Sequence, residues 1–102
     1  MRFVAVKSES KQSSAMIFKT RDLLVRQRTR TINALRAHLA EFGFIAPKGL
    51  AHLGRLVSQV KAPETGLPEP VRTLCLMLID LVRKLTEQIR VLDGEIKTRH
   101  GS

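Results

Sequence analysis

Apolar residues recur every three to four positions over two long stretches of this sequence, and glycine and proline break up the stretch between them. The start of the chain is different. Arg2-Phe3-Val4-Ala5-Val6-Lys7 alternates and is rich in β-branched residues, which suits a short strand or an extended arm over residues 1–8. Ser8 or Ser10 then offers an N-cap, and no glycine or proline follows until Gly43, a C-cap candidate. Within this run Phe18, Val25, Ile32, Leu35, Leu39 and Phe42 fall on a 3/4 spacing, with Arg21 and Arg28 in the two remaining seam positions. Only a helix has that period, so residues 9–43 read as one long helix.

The connector, residues 44–70, has turn chemistry at Ala46-Pro47-Lys48-Gly49. Leu50, Leu53, Leu56, Val57 and Val60 then suit a short helix over about residues 50–61. Three prolines and a glycine between Lys61 and Pro70 require a loop, and Pro70 fits the first position of the next helix. That helix, residues 71–98 before a tail at 99–102, has an unbroken seam: Val71, Cys75, Leu78, Val82, Leu85, Ile89, Leu92 and Ile96. Leu74, Ile79 and Leu81 widen the stripe early, which predicts burial there on more than one side. Gly94 falls on the outward face.

These elements predict an all-α fold: an elongated helical hairpin or coiled coil with two long helices and a short connector helix. The first long helix alone makes a rod of roughly 50 Å. A compact domain of this length has a radius of gyration near ~13 Å, so the rod overhangs it. The seams must pair within one chain or with a second chain. A seam longer than the remaining chain covers easily points to a homodimer.

Charge changes the picture more than length does. The 102 residues carry 18 Lys/Arg against 9 Asp/Glu, a formal +9. Nine of those bases and three acids lie in residues 1–42, whereas residues 67–102 hold six bases and five acids. The positive field therefore belongs to the first helix, which suits an anionic partner, while the last helix suits protein. A hydrophobic content of 43% is too high for a disordered polycation. The lone Cys75 excludes a disulfide-built scaffold and a multi-cysteine zinc site. No apolar run approaches the ~20 residues that span a bilayer, so no membrane role is expected.

The chemistry of a catalytic centre is sparse. His38, His52 and His100 have no metal-ligand spacing, and no glycine-rich phosphate loop is present. Cys75 on an apolar seam reads as an inert buried thiol, and the acids Asp80, Glu87, Asp93 and Glu95 as a solvated face. No cofactor, metal or small-molecule substrate is implied. What stands out is the segment from Lys19 to Arg36, in which five of six bases are Arg. On a helical wheel Lys19, Arg26, Arg30 and Asn33 share the face opposite the stripe. With Arg36 they make a candidate row for phosphate contacts, without a base-reading motif. Arg21 and Arg28 fall inside the stripe, where they could snorkel or pair with acids on a facing helix and fix register.

The residues Thr20-Arg21-Asp22-Leu23-Leu24-Val25-Arg26-Gln27-Arg28-Thr29, Ile32-Asn33-Ala34-Leu35-Arg36 and His38-Leu39-Ala40-Glu41-Phe42-Gly43 resemble the insertion-sequence transposases of the "one-ten" family, the bridge-RNA-guided recombinases. Val6-Lys7-Ser8-Glu9, Ile45-Ala46-Pro47-Lys48-Gly49 and Leu67-Pro68 extend the resemblance across the chain. It implies the central coiled-coil region of such an enzyme, which helps dimerise the transposase and contacts guide RNA. An RNase-H-like domain with four acidic residues would lie before Met1, and a domain supplying a catalytic serine after Ser102. No catalytic residue carries over, so the chain is expected to be inactive alone, whether as a fragment or a decayed reading frame. A bacterial cytoplasmic setting is implied as well. Two readings stay open: a dimerising, nucleic-acid-binding region of a transposase, and a helical protein–protein interaction module with no specific nucleic-acid role.

Overall fold

A computed structural model of the chain describes residues 6–45, 53–62 and 66–101, with side chains over 11–45, 53–62 and 66–98. The turn at residues 46–49, Leu50, His52, most of the arm and the end of the tail lie outside the described residues. The fold is all-helical: α1 spans Val6–Ala40, α2 Leu53–Lys61 and α3 Glu69–Gly101. The molecule is elongated, with principal extents of 60 × 30 × 17 Å and a radius of gyration of 18.6 Å.

α1 starts at Val6, inside the stretch that reads as an extended arm from its alternation. Nothing after Val6 interrupts a helix, so propagation through the serines outweighs capping at either of them. Its C-terminus is fixed by a Schellman motif. Gly43, at φ 86°, donates its N–H to the Ala40 carbonyl at 3.0 Å, and Phe44 donates to Leu39 at 3.0 Å. Phe44 then packs against the core that contains Leu39, the hydrophobic contact this cap brings with it. Gly66, at φ 73°, turns the chain so that Leu67 enters the core before α3 begins.

α1 and α3 pack along most of their length and run antiparallel. Arg21 meets Asp93 and Arg28 meets Thr86, so a step of one heptad up α1 is one heptad down α3. The seam expected to call for a second chain is filled within this one. Val82, Leu85 and Ile89 are buried, and Leu78, Leu92 and Ile96 are half-buried. α1 and α3 have nearly equal lengths, 35 and 33 residues, which removes the mismatch that pointed to a partner.

The α1 side of the seam departs from its heptad reading. Phe18 and Phe42 are 47% and 44% exposed. A straight helix drifts about 20° per heptad from a 3.5 repeat, and two heptads carry Phe18 off the contact face. Ile17 and Leu24 are half-buried in that half of the helix, in line with the drift.

α2 closes one side of the hairpin near its turn. Leu56 and Val60 pack with Leu35, Leu39, Leu67, Cys75 and Ile79, the main core of the molecule. Each of the Leu, Ile and Val side chains contributes roughly 1.5–3 kcal/mol on burial. Arg72 latches the arrangement by donating from Nη1 to the carbonyls of Val60 at 2.5 Å and Ala62 at 3.2 Å. Ile79 is buried, but Leu74 and Leu81 are 52% and 43% exposed, against the expectation that all three are covered. α2 lies on the Arg72 side of α3, which leaves the Leu74 and Leu81 side open.

Candidate nucleic-acid interface

The outward face of α1 is built by helical geometry alone, because the apolar seam fixes which residues turn to solvent. Lys19, Arg26, Arg30 and Asn33 are all exposed; Lys19, Arg26 and Asn33 lie on the side of α1 opposite its seam, and Arg30 stands at the margin of that face. Arg36 stands apart from them. It is half-buried, on the edge of α1 that also carries Val25 and Ile32. Arg30 lies at the opposite edge, beside Gln27, Thr31, Leu81 and Leu85. The five residues therefore form an outward row of four with Arg36 on one flank.

Part of that row is internally neutralised. Asp22 accepts from Arg26 Nη1 at 2.6 Å, four residues apart on one exposed face. The pair leaves Lys19 and Arg30 as the cations of the row without an acidic partner among the described residues. Asp22–Arg26 and Asp80–Lys84, the latter at 3.1 Å, are i,i+4 pairs on exposed helix faces, and Glu87–Arg90 at 3.0 Å is an i,i+3 pair.

Arg21 and Arg28 point at α3, as the wheel places them. Arg21 forms an ion pair with Asp93 through Nε, the side chains being 38% and 49% exposed. That hydrogen bond, followed by the carboxylate's charge, holds the Arg21 guanidinium above its ordinary value. Arg28 Nη1 donates at 3.3 Å to the Thr86 hydroxyl, which in turn donates at 2.8 Å to the Val82 carbonyl. Thr86 as an acceptor is invisible to a search for acids, since only the antiparallel register brings it opposite Arg28. Burial pushes the Cys75 thiol up from its usual range, as an enclosed thiolate has no solvation.

No group of three or more His, Cys, Asp or Glu that could hold a metal ion occurs among the described residues. No helix among them is long and apolar enough to cross a membrane.

Two proteins match this chain over nearly its whole length. It is 34% identical over 100 residues, 98% of its length, to the putative transposase y4pF/y4sB of Sinorhizobium fredii (strain NBRC 101917 / NGR234). It is also 34% identical over 97 residues, 95% of its length, to the transposase for insertion sequence element IS1328 of Yersinia enterocolitica. No family model matches the sequence. No solved structure matches it either. The chain spans 26% of the first relative and 28% of the second, and so is homologous to about a quarter of the length of these insertion-sequence transposases.

Proposed function

We propose that this hairpin is a nucleic-acid-binding and dimerising region of an insertion-sequence transposase, holding guide RNA or DNA through its backbone and inactive without catalytic domains. The observation that carries the reading is the outward set Lys19, Arg26, Arg30 and Asn33 on a rigid helix, in a chain with a formal +9 and homology to transposases. Arg36 extends the positive field on the flank. These are phosphate-binding groups without base readers, so the contact is electrostatic and tolerant of sequence. The test is a salt titration of binding to labelled duplex DNA and to structured RNA. The reading predicts log affinity falling linearly and steeply with log salt on at least one of them. Absence of binding at low salt, or affinity indifferent to salt, sinks it.

Dimerisation rests on a different edge from the seam. Leu74 and Leu81, one heptad apart on α3, are about half exposed on the side that α2 leaves open. Phe42 and His38 line the same edge beside Val71 and Leu74. A second copy set against this edge by a two-fold axis buries the same residues from both chains. Leu81→Glu should then convert a dimer to a monomer in sedimentation while leaving helicity intact. A wild-type chain that stays monomeric at high concentration removes this part of the reading and leaves the nucleic-acid part standing.

A further inference from the structure

The last helix reads as nearly neutral in sequence, yet folding changes which charges lie on its edge. Arg83, Arg90 and Lys97 are spaced by heptads along α3 and all three are exposed. They continue the line of Arg72, which lies eleven, eighteen and twenty-five residues before them, close to whole numbers of turns. Arg72 is engaged with α2, but α2 ends at Lys61 and covers only the turn end of the hairpin. Past it, no described element covers the edge of α3.

α1 adds two further cations to that edge. Arg28 delivers its guanidinium to Thr86 and Arg21 delivers its own to Asp93. In α3 positions the cations therefore stand at 83, 86, 90, 93 and 97, a 3, 4, 3, 4 progression in which residues of α3 alternate with arginines reaching across from α1. The five rungs cover about 21 Å, one cation per roughly 5 Å of helix axis. Two carboxylates lie among them: Asp93 on Arg21, and Glu87, 3.0 Å from Arg90. Arg83 and Lys97, one at each end, have no acidic partner among the described residues. An alternating ladder of this kind cannot be seen in either helix alone.

We infer that the ladder Arg83, Arg28, Arg90, Arg21 and Lys97 is a second backbone track for duplex nucleic acid, on the edge of the hairpin where α1 meets α3 and separate from the outward row of α1. This rests on the nucleic-acid reading above and says which surface bears the duplex. A duplex strand carries a phosphate per about 3.4 Å of axis but winds around it, so a few of the roughly six phosphates that a strand has along the ladder face it at once. The rungs are predominantly Arg, whose planar fork suits phosphate oxygens. Arg21 and Arg28 are held in place by α3 before any ligand arrives, which lowers the entropy lost when phosphate is bound.

The experiment compares the full chain with two double variants on a labelled duplex of about 20 base pairs, long enough to run along the 60 Å molecule. Arg83→Gln with Lys97→Gln removes the two end rungs, which are exposed and outside the helix–helix contact. Lys19→Gln with Arg30→Gln removes two cations of the outward row. The ladder variant should lower the slope of log affinity against log salt by about 2 and weaken binding roughly 60-fold at 0.1 M salt, with an unchanged circular dichroism spectrum. Wild-type affinity and slope in the ladder variant overturn the inference; if the outward-row variant is weakened at the same time, the nucleic-acid reading survives. Should wild-type protein itself show no salt-dependent binding, that reading fails and the ladder with it. A second measurement keeps the test independent of folding: acylation of Lys97 in wild-type protein should slow several-fold on adding duplex, while Lys84, on the far side of α3 and paired with Asp80, should not change. Equal protection of both, or of neither, contradicts the assignment.

Discussion

The two ends of the hairpin are held by different chemistry. At the turn end three helices meet, and Leu35, Leu39, Leu56, Val60, Cys75 and Ile79 are almost fully excluded from solvent. At the other end only α1 and α3 remain among the described residues, and between the apolar layers Arg28 spans to Thr86 and Arg21 to Asp93. Apolar burial stabilises the first end strongly, whereas partly exposed ion pairs contribute little in water. The open end thus has polar contacts that define register and, through their guanidinium groups, present positive charge. Apolar burial and the polar contacts that set register are divided along the length of one pair of helices.

The largest expected effect lies at the turn end. Ile79→Ala removes a side chain that is 1% exposed and touches the core shared by all three helices. Chemical denaturation should show a loss of about 2–5 kcal/mol. A loss well below 1 kcal/mol would mean that α2 does not pack there. The next effect has the opposite sign. Gly94 sits inside α3 toward the open end, and a Cβ there meets nothing within 4 Å. Gly94→Ala should raise stability by about 1 kcal/mol, read as a higher denaturation midpoint.

Arg21→Gln is expected to leave the midpoint close to wild type and to speed amide exchange in the first half of α1, because the pair with Asp93 is solvent-exposed. A large fall in the midpoint would show that the open end contributes more than its contacts imply. The smallest effect involves Cys75. Burial raises its thiol pKa in the folded state, so its stabilising share is complete below the unfolded thiol's value. It is lost as pH rises from about 8.5 toward the folded value. Stability followed by denaturant from pH 8 to pH 10 should decline in wild type and decline less in Cys75→Ala.

The architecture was largely legible because helical period, Gly43 and the proline-rich loop each act locally. The 3/4 spacing that runs from Val71 to Ile96 dictates which face of α3 turns inward, whatever it turns toward. What covers that face is not a local property. The heptad reading of α1 included Phe18 because counting in sevens ignores the drift of a straight helix. The stripe containing Leu74, Ile79 and Leu81 predicted cover on both sides, and the position of α2 decides that only the Ile79 side receives it. For the candidate interface, the exposure of Lys19, Arg26, Arg30 and Asn33 follows from the seam. The ladder could not be read at all, since it depends on the antiparallel register that sets Arg28 against Thr86 and Arg21 against Asp93.

Hydrogen exchange followed by mass spectrometry, with and without duplex, tests this division of labour most directly. In the free chain, amides of α1 near Leu35 and Leu39 and of α3 near Cys75 and Ile79 should exchange slowest, and those near Arg21 and Asp93 much faster. Adding duplex at low salt should slow exchange around Arg21, Arg28 and residues 83–97 while changing the turn end little. Uniform protection along both helices in the free chain, together with no change at the open end on adding duplex, would contradict the account.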